Sequence, residues 1–243
     1  MGTASINSEV GICNQALARM GSTQMITSFN DQSNEAAQCA VFYPSDRDAM
    51  LSDFPWPWAE GYSNLVQVAG PETTGKRANA QWLRSYRYPV DCLKMRRIVM
   101  TPAPINAIIP QTSGPLSYGY SGNEPWRRAV GDTQPISYGL GNDISGELIM
   151  SDFFGPYGLT AIYTNDMTDV NQFSADFIDC LAWRVASDLA MGLGFDTAKR
   201  EYADKQYNET IRKIRATHYN EMSSDIPLIR RQSQVIRARW GCG

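Results

Sequence analysis

The sequence is poor in the residues on which many catalytic and metal sites depend. It contains a single histidine, His218, which argues against the usual Ser-His-Asp and Cys-His arrangements and against zinc sites built from several histidines. Its five cysteines are scattered and form no Cys-x-x-Cys pair, so neither a zinc site nor a disulfide framework is indicated. We therefore expect a reducing compartment, in which several thiols pack as small apolar side chains.

Long apolar runs are also missing. The longest is far shorter than a bilayer span, and the segment MGTASINSEV at the start lacks the basic and apolar parts of a secretory signal. We therefore expect no membrane partner. A hydrophobic content of 43% and a charged content of 19% are typical of globular proteins. A length of 243 residues suits one large domain, or one domain with an insertion.

Charge is unevenly distributed along the chain. The segment 226–243 contains four arginines and no acid; because the whole chain carries −3 and this segment +4, the rest of the chain carries −7. An acidic chain is not typical of a dedicated nucleic-acid-binding protein. The basic end mixes arginines with Ile, Val and Trp, and it can pair with phosphates or with carboxylates of another protein. Trp and Arg dominate interface energetics, which favours an extended segment that becomes ordered only on a partner protein.

The N-terminal part of the chain, up to position 60, predicts two amphipathic helices. Residues 6–20 carry apolar side chains at steps of three and four, and Gly21 is a suitable end. Residues 36–54 form the second helix, with Ser33 or Asp31 as its N-cap. The face of this helix that we expect to be buried consists of Ala36, Ala40, Tyr43, Met50 and Phe54, together with the charged Arg47.

Prolines shape the second helix and end it. Pro44 should kink the helix or restart it. The sequence Pro55-Trp56-Pro57-Trp58 should stop it, because each proline lacks an N–H group and constrains the residue before it. Two indoles on this rigid corner predict an apolar plug for the end of a helical bundle rather than a ligand-stacking site.

The remainder of the chain predicts strands and then helices. Short strands alternate with turns rich in Gly, Pro, Ser and Asn; the predicted strands are 65–68, 82–88, 93–100, 105–109, 136–138, 148–150 and 159–163. Helical spacing returns at Ser174 and stops near Gly192 and Gly194. Asp196 can cap a last helix that runs to about Met222, whose thin apolar line is Tyr207, Ile211, Ile214 and His218.

These patterns predict an α+β fold. We expect the helix pairs of residues 1–60 and 166–222 to form an antiparallel helical bundle. Residues 61–165 are expected to form an inserted β-rich domain, and residues 223–243 an extended basic tail. No metal or disulfide is required for such a core.

One motif suggests chemistry but departs from its pattern. Gly70–Lys76 matches the spacing of a phosphate-binding loop, yet Arg77 stands where Ser or Thr must hold magnesium, and Glu72 would repel a phosphate. Gly139–Asp143 and the pair of glycines near Leu193 lack the third glycine of a dinucleotide site. A nucleotide-binding enzyme using Gly70–Lys76 remains the alternative.

The isolated polar candidates have simpler explanations. His218 lies on the apolar line of a charged helix, where it is expected to pack. Asp31, Asp166 and Asp169 lie in polar turns, where hydrogen bonding of the carboxylate to the backbone explains them. We therefore predict no catalytic residue, no metal ligand and no cofactor, and expect that the protein is not an enzyme.

Four segments, in this order, resemble the head-to-tail adaptor proteins of short-tailed bacteriophages, which are also called tail tubular or gatekeeper proteins. The segments cover about 1–100 and 147–222, and they depart from the family pattern at Tyr88, Trp183 and Val185. The residues that carry the resemblance are Ile12-Cys13-Asn14-Gln15-Ala16-Leu17; then Phe42, Tyr43, Pro44, Arg47, Asp48, Leu51, Pro55, Trp56 and Ala59; then Tyr86–Leu93; and finally Phe173–Leu189.

The resemblance implies a structural virion protein located at the portal–tail junction and assembled in the host cytoplasm. Copies of it, typically twelve, would form a ring that joins the portal protein to the tail nozzle protein around the DNA exit channel. Double-stranded DNA would pass through the lumen without sequence recognition. The family's C-terminal segment commonly reaches along the portal, so the expected portal-binding residues are Ile229, Arg230, Arg231, Ile236, Arg239 and Trp240. A nonspecific DNA-binding module using the basic C-terminus is a further alternative.

Overall fold

The computed structural model describes residues 8–101, 136–153 and 158–225. Within these ranges the chain combines helices near both ends with two antiparallel sheets between them. The predicted α+β class is therefore confirmed. None of the described helices is long and apolar enough to cross a membrane.

The first helix, α1, covers Glu9–Arg19. The Ser8 hydroxyl accepts a hydrogen bond from the Gly11 N–H at 2.9 Å and so caps its first turn. The predicted apolar stripe is confirmed at Cys13, Leu17 and Met20, which are buried. Gly21 has φ +75°, a conformation that favours glycine, and it ends the helix as predicted.

The second helix, α2, covers Asn34–Asp53 and is capped by Ser33, whose hydroxyl accepts from the Ala36 N–H at 3.1 Å. Pro44 lies inside this helix and does not restart it. Proline removes only the hydrogen bond to the carbonyl of Ala40, and both residues are exposed, so water can satisfy that carbonyl. The prediction that Ala40 is buried is consequently wrong, and Cys39 takes its place in the core.

The two late helices are α4, Ala175–Gly192, and α5, Thr197–Asp225. They follow a one-turn helix, α3 (Pro71–Thr74), that lies among the strands. The Ser174 hydroxyl caps α4 by accepting from the Phe177 N–H at 3.3 Å. Of the thin apolar line predicted for α5, Ile211, Ile214 and His218 are buried and Tyr207 is partly buried. Ala203, outside that line, is buried as well.

Side chains from α1, α2, α4 and α5 contribute to one hydrophobic core. The two tryptophans that follow α2 lie in this core, as the sequence predicts. The Trp56 ring packs edge-on against Phe177 at 5.1 Å and against His218 at 5.5 Å, and its Nε1–H donates to the Met50 carbonyl at 2.9 Å. Trp58 packs on the same Phe177 ring at 5.0 Å.

The strands form a three-stranded sheet of order β1-β7-β4 and a four-stranded sheet of order β2-β3-β6-β5. Their bounds are β1 Glu60–Asn64, β2 Gln67–Ala69, β3 Arg84–Arg87, β4 Cys92–Met100, β5 Gly139–Asp143, β6 Gly146–Ser151 and β7 Leu159–Asn165. Every described neighbouring pair is antiparallel. Residues of both sheets, among them Tyr86, Ile98, Ile149 and Leu159, build a second core.

Most predicted strands within the described residues agree with the structure; one observed strand was not predicted, and one predicted strand is not found. Strand β1 has no clear signal in the sequence, because Glu60–Asn64 is polar and pairs with β7 along one side of the sheet. Residues 136–138 are not a strand; β5 begins instead at Gly139, in the stretch predicted to be a turn. The predicted strand 105–109 lies outside the described residues. The division of the chain into 1–60, 61–165, 166–222 and 223–243 stays a prediction.

Arg96 of β4 connects the sheets to the helices. Its guanidinium donates to the carbonyls of Leu51, Ser52 and Phe54 at 3.0, 3.1 and 2.8 Å, and its Nε–H donates to the Thr164 hydroxyl at 2.8 Å. These carbonyls end α2, where unpaired C=O groups and the helix dipole both favour a cation. One side chain therefore fixes the end of α2 against the three-stranded sheet.

Candidate functional site

The predicted portal-binding residues Ile229, Arg230, Arg231, Ile236, Arg239 and Trp240 lie outside the described residues. The structure does describe the helix that leads to them. Near its C-terminal end, α5 is held by an ion pair between Arg215 and Asp53 and by His218 packed on Trp56. The tail therefore begins about two turns beyond an anchored part of the helical core.

The Gly70–Lys76 stretch forms a closed turn rather than a phosphate cradle. The N–H groups of Thr73 and Thr74 both donate to the Gly70 carbonyl, at 3.1 and 2.8 Å, and the Thr74 hydroxyl donates to the same oxygen at 3.1 Å. In a phosphate-binding loop such N–H groups would point at the ligand. Only the one-turn helix α3 follows Gly70, so a long helix N-terminus is missing at this loop.

The other glycine motifs have packing roles. Gly139 and Gly141 belong to β5, and a Cβ there would come within 3.0 Å of the Trp82 ring and 2.6 Å of the Met150 methyl group. Gly194 has φ +70° and follows the C-terminal cap of α4. These stretches therefore accommodate neighbouring side chains or end a helix.

The carboxylates of Asp31 and Asp169 accept hydrogen bonds from backbone N–H groups in their turns, as predicted. The Asp31 carboxylate accepts from the N–H groups of Thr27 and Ser28 at 2.6 and 3.0 Å, which lowers the pKa of Asp31. Asp169 accepts from the Asn171 N–H at 3.0 Å, which likewise lowers its pKa. Asp166 differs from the prediction, because its carboxylate lies 3.8 Å from the Arg47 guanidinium.

A buried polar cluster in the helical core has no clear sequence signal. Asp46 of α2, with a side chain only 4% exposed, accepts from Arg184 Nε of α4 at 3.0 Å, and Arg184 also donates to the Tyr207 hydroxyl of α5 at 3.2 Å. Burial, followed by the nearby Asp188 carboxylate, raises the pKa of Asp46 to about 7. The only hint in the sequence is the position of Asp46 one turn after Tyr43, on the buried face.

A shallow cleft of about 490 Å³ is lined by the start of β4 (Cys92–Met95), by Leu140 of β5 and by Glu147 of β6, among others. Its apolar and aromatic lining residues include Tyr88, Val90, Tyr138 and Leu140. Val90 is fully exposed, and Leu140 is 58% exposed. Sequence reasoning missed this cleft, because β4, β5, β6 and the turn after β3 meet here only in the folded chain.

The charged groups of this cleft are the carboxylates of Glu147 and Asp166 and the ammonium group of Lys94. Cys92 also lines it, and burial raises the pKa of this thiol to about 11. Across the described ranges, no three His, Cys, Asp or Glu side chains come together as a metal site would require.

Comparison with known proteins adds no assignment: no family model matches the chain, and no curated protein matches it significantly.

Proposed function

We propose that this chain is a structural virion protein that forms an adaptor ring between the portal and the tail nozzle of a short-tailed bacteriophage. In this proposal the N- and C-terminal helix pairs form the ring scaffold as an antiparallel bundle. The β-rich insertion and the C-terminal tail then serve neighbouring proteins. The ring surrounds the channel through which the DNA leaves the head, and the chain itself is not an enzyme.

The observation that carries the proposal is the convergence of the resembling segments. Their apolar positions Leu17, Tyr43, Trp56 and Phe177 come from three distant parts of the sequence and lie in one hydrophobic core. A packing motif is informative only if its residues are in contact in the folded protein. The shared core therefore supports the interpretation of these segments as parts of one scaffold.

Asn14, in the first resembling segment, adds a specific contact. Its side-chain amide donates to the Ile26 carbonyl and accepts from the Ile26 N–H, both at 2.8 Å. An amide satisfies one donor and one acceptor at once, which a carboxylate or an aliphatic side chain cannot do. These two hydrogen bonds explain why an asparagine suits this position of the motif: it holds the connection between α1 and α2 against α1.

Charge also agrees with a channel protein. The part of the chain that precedes the arginine-rich segment 226–243 carries a net charge of −7. A predominantly acidic surface repels phosphates, so DNA would slide past it with little adhesion. The tail, with four arginines and no acid, would instead pair with carboxylates on the portal.

Particle mass is the most direct test. Each bound copy would add the 27.1 kDa of one chain to the portal protein, and a complete ring would add twelve such steps. Mass photometry or native mass spectrometry of the chain, alone and mixed with portal protein, should detect this increase. A chain that leaves the mass of the portal unchanged at micromolar concentration would contradict the proposal.

The role of the tail has its own test. Removing residues 226–243 should abolish docking on the portal while the far-ultraviolet circular dichroism per residue stays close to that of the full chain. A variant that keeps the tail but replaces Arg230, Arg231, Arg237 and Arg239 with glutamine separates charge from length, and should dock weakly. Complete heads with tails formed by the truncated chain would show that the tail assignment is wrong.

A further inference from the structure

Two of the buried cysteines belong to different helices and lie beside each other. Cys13 is in the second turn of α1, and Cys39 is in the second turn of α2. Both side chains are fully buried in the helical core. The Cys13 S–H donates a hydrogen bond to the Cys39 sulfur, so the two thiols are in direct contact.

An ion pair shows how the two helices are aligned. The Glu9 carboxylate, at the start of α1, lies 3.8 Å from the Arg47 guanidinium of α2. Cys13 follows Glu9 by about one turn, whereas Cys39 precedes Arg47 by about two turns. The two helices therefore run antiparallel. Their cysteines lie on the facing sides, between this ion pair and the segment that connects α1 to α2.

We propose that Cys13 and Cys39 form a disulfide in an oxidising environment, and that this bond fixes α1 to α2. A small disulfide such as oxidised glutathione is the oxidant. The thiolate of one cysteine attacks a glutathione sulfur and releases one glutathione thiolate; the second cysteine then displaces the other glutathione. Two protein thiols and one glutathione disulfide thus give one protein disulfide and two glutathione thiols. The inference goes beyond the proposed function, because it concerns a single chain without any partner.

Burial controls how the reaction starts. Because neither sulfur is exposed, an oxidant reaches the pair only when the contact between α1 and α2 opens locally. Such openings require less free energy than global unfolding. After the first step the second thiol is close by on the facing helix, which favours the intramolecular step over a second reaction with glutathione.

The bond would change the stability of the helical core. It closes a loop that contains residues 14–38, and it restricts the unfolded chain more than the folded one. For a loop of this length, the equilibrium constant for unfolding should fall about a hundredfold. A reducing compartment would keep the pair as thiols and leave α1 free to separate from α2, whereas an oxidising environment would hold the two helices together.

The positions of the arginines make the bond easy to detect in the full chain. Trypsin cleaves after Arg19 and Arg47, so Cys13 falls in the peptide 1–19 and Cys39 in the peptide 20–47, each without a second cysteine. The protein is equilibrated with mixtures of reduced and oxidised glutathione, its free thiols are alkylated, and the joined peptides are measured by mass spectrometry. A parallel equilibration in concentrated urea gives the same measurement for the unfolded chain.

We expect the equilibrium constant for forming the bond to be about a hundredfold larger in the folded chain than in urea. The factor is the same as for unfolding, because the bond and the fold stabilise each other equally in a thermodynamic cycle. An equal constant in both conditions, or joined peptides found only in urea, would overturn the proposal.

Two cysteine variants complete the test. Cys39→Ala should lose the joined peptides, and its urea midpoint should no longer rise on oxidation. Cys180→Ala removes a fully buried thiol of α4 in the same core and should keep both effects. Each variant is compared with itself before and after oxidation, so a general loss of stability does not obscure the result. An oxidation-dependent midpoint that persists in Cys39→Ala would contradict the proposal. No portal protein is needed, so this inference and the proposed function can fail separately.

Discussion

Replacing Arg96 tests how the sheets are attached to the helices. The guanidinium makes four hydrogen bonds, three to the carbonyls at the end of α2 and one to the Thr164 hydroxyl. Burial lowers the pKa of Arg96, although an arginine stays charged at neutral pH. Arg96→Met keeps much of the aliphatic stem and removes every one of these bonds.

The expected loss follows from the geometry. A hydrogen bond to a charged group contributes about 1.5–3 kcal/mol, but four bonds made by one side chain are not additive, and water can reach part of this site. A cation at a helix C-terminus adds about 0.3–1 kcal/mol. We therefore expect Arg96→Met to lower the free energy of unfolding by about 2–4 kcal/mol, measured by urea denaturation followed by circular dichroism.

The neighbouring residue provides the control. Arg97 is exposed and lies 3.8 Å from the Glu60 carboxylate, a distance typical of weak surface pairs. Arg97→Met should therefore change the free energy of unfolding by less than about 0.5 kcal/mol. Arg96→Lys, which keeps the charge but loses the planar fork, should lie between wild type and Arg96→Met. Equal losses for the two methionine variants would refute the reasoning.

Two further predictions concern buried polar groups. Because the pKa of Asp46 is raised to about 7 in the fold, its stabilising effect is fully present below its unfolded value of 3.8 and is lost as pH rises towards 7. Asp46→Asn should remove this decline, which is at most about 1.4 kcal/mol per pH unit, in urea titrations across that range; an unchanged slope would contradict the assignment. Asn14→Asp should destabilise by about 1–3 kcal/mol at pH 7, since a carboxylate cannot donate to the Ile26 carbonyl. Asn30→Asp, at an exposed loop position, should have little effect in the same assay.

Local signals in the sequence predicted the helices well. Of the two N-caps predicted for α2, Ser33 and Asp31, Ser33 is the cap; Ser174 caps α4, and Gly21, the predicted stop of α1, has φ +75°. Such features succeed because a cap or a left-handed glycine depends on a few neighbouring residues. The sequence left a kink and a restart open at Pro44; the helix continues through this residue, and both Pro44 and Ala40 are exposed to solvent.

Strands and interaction surfaces were harder to predict. Strand β1 is polar and exists because it pairs with β7, which lies far along the chain. Strand β5 looks like a glycine turn, yet its glycines make room for Trp82 and Met150. Strand pairing and packing of this kind depend on residues far away in the sequence, so a local sequence pattern is a poor predictor of such strands.

Local patterns in the sequence were enough to predict the fold class, the ends of the helices, the burial of Trp56 and the difference in charge between residues 1–225 and residues 226–243. Each of these follows from spacing, capping chemistry or charge within a short stretch. Three features appear only in the folded chain: Arg96 holds the end of α2, Asp46 is buried beside Arg184, and β4, β5 and β6 line a common cleft. Each of these features involves residues that are far apart in the sequence. Their burial and charge pairing depend on tertiary packing, which a short stretch of sequence does not reveal.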